Sequence, residues 1–179
     1  VPSLALAWRP ARLNMALAVM DRPDRSVEEQ IKEAELLLEA AAHCADELRY
    51  EQLVSWARSI VDPLAASGHA PALWLQCTIP STERLSPEDF DRAFLAQVEV
   101  AAAAGSIQAK FRLACELDEE PTRNDSARLF KEAAEAGHPY AMWCHGLNLL
   151  GGTGIARDET AGLRFIRLAA EAKFEGAIY

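Results

Sequence analysis

The sequence predicts an all-α fold, a right-handed solenoid of antiparallel helix pairs, and three observations carry that reading. The first is an outline that recurs: Gly68-His-Ala-Pro-Ala72-Leu-Trp74, Gly105-Ser-Ile-Gln-Ala109-Lys-Phe111, Gly137-His-Pro-Tyr-Ala141-Met-Trp143 and Lys173-Phe-Glu-Gly-Ala177-Ile-Tyr179. Each has Ala four residues after its start and an aromatic two residues later. The steps are 37 residues (68 to 105), 32 (105 to 137) and 36 (137 to 173), the range of helical repeats. The second is periodicity: apolar positions fall at three- and four-residue steps, and strand-like alternation is absent. The third is composition, half hydrophobic but only 7% aromatic, with Ala prominent, the best helix former and a residue that lets helices approach closely. One such repeat cannot bury its own apolar face, so neighbours must stack.

The elements follow in order. Ser26-Val-Glu-Glu29 has the Ser-x-x-Glu form of a capping box and opens a helix carrying Ile31, Ala34, Leu38 and Ala41 on one face, running to about Ala45. A second helix from near Arg49 places Leu53, Trp56, Ala57 and Ile60 together. Pro63 falls in its last turns, where proline kinks a helix, and Gly68 closes it. Pro71 to about Ile79 is the next helix, followed by a loop from Pro80 to Leu85. Ser86-Pro87-Glu88-Asp89 combines a capping serine, a proline at the first helical position and acids in the first turn; that helix runs to Ala104 and stops at Gly105. Helix 107–118, a loop from Glu119 to Asn124, helix 125–136 and helix Pro139–Leu150 come next. Gly151-Gly-Thr-Gly154 is a loop, Asp158 caps a helix to Ala172, and the residues from Lys173 begin one more.

Ahead of these, Pro10 to Met20 reads as a short amphipathic helix covering the end of the stack. Arg9, Pro10 and Arg12 interrupt the apolar stretch 1–20, which therefore lacks the unbroken apolar region of a signal peptide. Val1 is not a start methionine, so the sequence reads as a fragment or a processed product. The expected organisation is an N-terminal cap, 1–25, and a solenoid, 26–179, with units 26–67 (degenerate), 68–104, 105–136 and 137–172, and the start of a further helix, 173–179.

One unit carries a fuller pattern. Ala141, Trp143, Gly146, Leu149, Gly152-Thr-Gly154-Ile155, Asp158, Gly162, Phe165 and Ala169-Ala170 stand, without a gap, where a Sel-one-like repeat has its characteristic residues. The segment from Ala141 to Ala177 resembles that family, a relative of the tetratricopeptide repeats. It departs at His145 (for Leu), Leu149 (for an aromatic) and Lys173 (for the last Gly). The unit from Ala109 matches at Leu113, Ala114, Ala133-Ala134 and Gly137, with a loop four residues shorter and no Gly-x-Gly. The unit from Ala72 keeps Ala72, Trp74, Ala101-Ala102 and Gly105. The matches have physical reasons. Small residues at Ala114, Gly146 and Gly162 let paired helices touch. Gly152 and Gly154 allow positive φ in a tight loop, and Asp158 caps the next helix. Ala133-Ala134 and Ala169-Ala170 sit where one repeat packs on the next. The resemblance covers about the last 110 residues and implies protein–protein or protein–peptide binding, with the first helix of each repeat lining a concave face.

Several chemistries are weighed against this. The formal charge of −9 opposes a nucleic-acid partner, which needs a basic footprint. No run of 18 or more apolar residues spans a membrane. Cys44, Cys77, Cys115 and Cys144 are expected to be reduced, buried small hydrophobes, which suits the cytoplasm; a signal peptide ahead of Val1 would suit the periplasm instead. His43-Cys44 and Cys144-His145 cannot converge on a metal, since neighbours on a helix point about 100° apart, and neither Cys-x-x-Cys nor His-x-x-x-His occurs; no metal or cofactor is predicted. Gly151-Gly-Thr-Gly154 lacks the preceding strand and Gly-Lys-Ser/Thr ending of a phosphate loop. Asp118-Glu119-Glu120 lacks calcium-loop spacing and reads as a solvated turn. No residue set supplies nucleophile, base and oxyanion donors together.

The expected function is therefore that of a non-enzymatic adaptor or scaffold. Its candidate contacts are first-helix side chains that the repeat pattern does not require: Gln108, Arg112, Glu116, Tyr140, Cys144 and Asn148, with Arg112 offering a bidentate grip on a carboxylate. The aromatic series Trp74, Phe111, Trp143 and Tyr179 has two readings that sequence does not separate, packing between repeats or anchors lining a groove. His145 also has two: a half-buried imidazole bonded to nearby backbone, or a recognition contact with Asn148. Two other classes stand as alternatives, a β-lactamase-like or penicillin-binding hydrolase as described for cysteine-rich relatives, though paired cysteines and Ser-x-x-Lys are missing, and a structural spacer in a longer protein.

Overall fold

The computed structural model describes residues 25–80, 86–119 and 121–172. The helix expected over Pro10–Met20 and the one expected from Lys173, with Tyr179, lie outside them. The regular structure of the described residues is helical throughout: α1 (Val27–Ala42), α2 (Glu47–Ala66), α3 (Ala70–Thr78), α4 (Pro87–Ala103), α5 (Ile107–Glu116), α6 (Arg123–Glu135), α7 (Pro139–Gly151) and α8 (Glu159–Glu171). The chain divides into two units, residues 1–84 and 85–179.

The helix starts follow local chemistry. Ser26 and Glu29 form the reciprocal capping box at α1. Asp46 accepts the Arg49 N–H at 2.8 Å and caps α2, which starts at Glu47, two residues before the expected Arg49. Ser86 and Asp158 cap α4 and α8 through Asp89 N–H and Ala161 N–H. Two further ends differ from expectation. α1 stops at Ala42 because the next amides turn back on Ala40 and Ala41 carbonyls. α6 begins at Arg123, two residues early, because the Thr122 hydroxyl donates to the Leu117 and Glu119 carbonyls and the Thr122 carbonyl accepts from Asp125 and Ser126.

One joint is used three times. After α2, α4 and α6 the glycines Gly68, Gly105 and Gly137 take φ of 82°, 100° and 95°. Each donates to the carbonyl three residues back (Ala65, Ala102, Ala134), and the following residue donates five residues back (Leu64, Ala101, Ala133). This is a Schellman closure, which needs a left-handed residue that only glycine adopts without strain. The residue after each glycine is at once the N-cap of the next helix: His69 for α3, Ser106 for α5, His138 for α7. The recurring Gly outline of the sequence is this joint.

In the first unit α1 packs on α2 and α2 on α3, around Ile31, Leu37, Leu53, Val61 and Leu75. Glu33, 2% exposed, is held there by an ion pair with Arg25. In the second unit each helix from α4 to α8 packs on the next, around Ala114, Leu129, Phe130, Ala133, Ala134 and Ala141. The hairpins close on small residues as expected. In α5–α6, the buried Ser126 hydroxyl donates to the Ala114 carbonyl at 2.8 Å. In α7–α8, a Cβ on Gly146 would lie 2.8 Å from Ile166 Cγ1, and one on Gly162 would lie 2.9 Å from the Gly146 carbonyl. The longer α7–α8 loop uses Gly152 and Gly154 at φ of 72° and 64°.

Candidate functional site

The candidate residues of the second unit lie on α5 and α7, the first helices of its two hairpins. On α5, Gln108, Arg112, Cys115 and Glu116 are exposed. They recur at three- and four-residue steps because other positions of the helix, Ala109 and Ala114, are buried, Ala114 in the core it shares with α6. On α7 the same logic exposes Tyr140 and Leu147 and leaves Trp143, Cys144 and Asn148 half-buried, while Ala141, His145, Gly146 and Leu149 are buried. The structure thus brings Gln108, Arg112 and Glu116 onto one face of α5, and Tyr140, Trp143, Cys144 and Asn148 onto α7. Trp74 is half-buried on α3 of the first unit.

Arg112 pairs with Glu116 one turn on, Nη2 to Oε1 at 2.5 Å, and its guanidinium lies 5.5 Å from the Phe94 ring centroid of α4. The first contact was readable from the i,i+4 spacing; the second joins separate helices and left no local signal. Cys115 and Leu147 are further exposed members of the face that sequence reasoning missed. Their register, each six residues past the repeat Ala (Ala109 and Ala141), was the available signal.

The aromatics connect the two hairpins. Phe111 stacks on His138 (centroids 4.5 Å, interplanar 17°) and meets Phe130 at 5.9 Å and Tyr140 at 5.2 Å. Its ring packs between α6 and the start of α7, the packing reading of the series at this position. Trp143 meets Tyr140 edge-on at 5.9 Å and 82°. His138 Nδ1 accepts the Ala141 N–H at 3.2 Å and caps α7; burial lowers its pKa.

Two expectations are corrected. His145 was expected to be half-buried and backbone-bonded, or in contact with Asn148. It is 2% exposed, edge-on to Phe165 at 4.7 Å, and its Nδ1 has no hydrogen-bond partner. Burial, reinforced by Lys131, lowers its pKa. It occupies a core leucine position, and the ring fills that volume without satisfying the nitrogen. The cysteines were expected to be buried. All four are unbridged, but Cys44, Cys77 and Cys144 are half-buried and Cys115 is exposed. Cys115 lies one residue past the buried Ala114, rotated out of the α5–α6 contact. Burial pushes Cys144 up to about 12 and raises Cys115, so neither thiol is activated as a nucleophile.

No protein-family model and no curated protein matches the chain. Among solved structures, it is similar to a Sel1 repeat protein from Oxalobacter formigenes, with a TM-score of 0.58 at 19% identity over 83% of this chain and 47% of that one. It is also similar to a protective antigen of uropathogenic Escherichia coli strains that displays an SLR fold, with a TM-score of 0.57 at 19% identity over 85% of this chain and 32% of that one. The chain spans less than half the length of either. The fold is that of Sel1 repeat proteins, an all-α helical-repeat architecture. No helix of the described residues is long and apolar enough to cross a membrane.

Proposed function

We propose that this chain is a non-enzymatic interaction module, an adaptor or scaffold that binds a protein or peptide on the concave face of a helical-repeat solenoid. The observation that carries the reading is the row of exposed side chains on α5 and α7. Gln108, Arg112 and Glu116 are exposed on α5 and Tyr140 on α7, with Trp143 and Asn148 half-buried on α7. Large exposed side chains at helical spacing form the kind of surface on which aromatic and arginine anchors dominate binding. The Sel1-type fold of the neighbours supports the same reading. We propose a cytoplasmic location, which thiols kept as small hydrophobes would suit, with the periplasm as the alternative.

Site-specific photo-crosslinking tests it. A crosslinking residue at position 108 is expected to capture a protein or peptide partner, and the same residue at Lys131, exposed on α6, is not. Capture from 131 and not from 108 would move the binding surface to the second helices.

A further inference from the structure

We propose that the outer face of α4 is a seam at which two copies of this chain pair, with their α4 helices antiparallel. Val98, Ala101 and Ala102 of this helix are buried. On its other side Phe90 is 48% exposed and Val100 56% exposed, and Ala93, Ala96 and Ala103 are exposed with them. The repeat does not ask for this. Counted back from the Schellman glycines Gly105 and Gly137, the places of Ala93, Ala96, Val100 and Ala103 on α4 are those of Asp125, Arg128, Glu132 and Glu135 on α6. On α6 they form a solvated ladder, in which Arg128 pairs with Asp125 at 3.7 Å and with Glu132 at 2.8 Å. On α8 the same register reads Ala161, Arg164, Leu168 and Glu171. Only α4 has exchanged every charge of this row for an apolar side chain. Phe90 extends the row, its ring stacked on Phe94 at 6.4 Å and 10°.

The spacing and the charges name the occupant. Ala93, Ala96, Val100 and Ala103 follow steps of three, four and three residues, the seam of a two-helix coil, and alanine lets the two backbones approach closely. Arg92 and Glu99 flank the seam, seven residues apart and so on the same side of the helix. In an antiparallel pair related by a two-fold axis, that flank meets itself reversed. Arg92 of each copy then comes opposite Glu99 of the other, twice. A parallel pair would set Arg92 on Arg92 and Glu99 on Glu99. Both groups are available: Glu99 is exposed and makes no ion pair among the described residues, and the contact of Arg92 with Asp89 at 3.1 Å is exposed, a kind worth little. An isologous contact of this sort closes at two copies. One helix per copy falls at the small end of specific interfaces, below about 1,200 Å² in total, so the dimer is weak and concentration-dependent.

Sedimentation equilibrium of the full chain, from micromolar to millimolar concentration, tests this. The salt is set at about 0.15 M, which screens charges beyond about 8 Å, because each copy carries a charge of −9 that opposes association. The chain is expected to pass from monomer to dimer over that range. Val100→Glu should abolish the dimer, and Leu168→Glu, its register equivalent on α8, should leave it unchanged. Arg92→Glu and Glu99→Arg should each weaken it about tenfold. An equimolar mixture of those two variants should recover the original affinity, because each copy then offers the charge that the other lacks. A chain that stays monomeric, a dimer that Val100→Glu leaves intact, or one that Leu168→Glu dissociates as strongly would overturn the inference. So would a lowered melting temperature of the dilute Val100→Glu chain, which would mean that the face is covered within the chain itself. If neither charge reversal weakens the dimer, or if the mixture does not recover it, the antiparallel pairing is wrong and the proposal falls with it.

Discussion

The hairpins α5–α6 and α7–α8 meet one steric demand with two chemistries. Ala114 and Ser126 of the first occupy the places of Gly146 and Gly162 in the second. In the first, the gap between helices admits a hydroxyl, and Ser126 turns the contact into a buried hydrogen bond to the Ala114 carbonyl. In the second no side chain fits: a Cβ at Gly162 would meet the Gly146 carbonyl and Leu150 Cγ, both at 2.9 Å. The repeat pattern therefore asks for closeness, not for a particular residue. A hairpin can supply it by hydrogen bonding or by backbone contact, and the two differ in what a substitution costs.

The largest expected effect breaks the tighter of the two. Gly162→Val places three heavy atoms against backbone and Leu150, and should cost about 3 kcal/mol, the upper range for overpacking, read as a lowered urea midpoint. Gly162→Ser, which transplants the residue of the first hairpin, should cost about 2 kcal/mol for the same reason. If the serine is tolerated without loss, the two crossings are equivalent and the comparison fails.

The next effect runs the other way. His145 stands where the first hairpin has Leu113, and its buried Nδ1 has no partner. His145→Leu should stabilise the chain by about 1–3 kcal/mol, the cost of an unsatisfied buried polar group, provided leucine adopts a rotamer compatible with Phe165. Thermal unfolding of the variant checks this; a lower melting temperature would mean that the imidazole has an unrecognised role in the core.

These residues also show how far the sequence could be read. The Schellman glycines, the capping serines and the small residues at the crossings were legible because each is a local rule: one residue type, at one position, satisfying one backbone need. The departure of His145 from the repeat pattern was legible too, but its state was not, since burial and a missing partner depend on α6 and α8 at once. Arg112 was singled out as an outward cation; its pairing with Glu116 lay in the i,i+4 spacing, whereas its approach to Phe94 required the α4–α5 packing angle. The exposure of Cys115 turns on a single residue of helical phase, finer than a composition argument resolves.

Ser126→Ala is the complementary, smaller test of the first hairpin. It removes the hydroxyl and leaves the Ala114 carbonyl with its position in the helix, so the expected loss is about 1 kcal/mol, that of one hydrogen bond. A loss as large as that of Gly162→Val would show that the serine also sets the helix separation.

The smallest effect separates the hairpins by pH. The second carries His138 as its N-cap and His145 in its core, where the first has Ser106 and Leu113. Burial lowers the folded-state pKa of both histidines, with Lys131 adding to the effect at His145 and Glu135 opposing it. The unfolded chain then binds protons that the folded chain does not, so stability is complete above the ordinary histidine pKa of about 6.5 and declines as pH falls through that value toward the lowered folded ones. Protonating His138 Nδ1 also removes the acceptor that caps Ala141 N–H. The melting temperature should therefore drop between pH 7.5 and 5.5, and amide exchange should quicken in α7 before α5. His138→Ser/His145→Leu, which gives the second hairpin the residues of the first, should flatten that dependence. An unchanged pH profile in the double variant would place the acid sensitivity outside this hairpin.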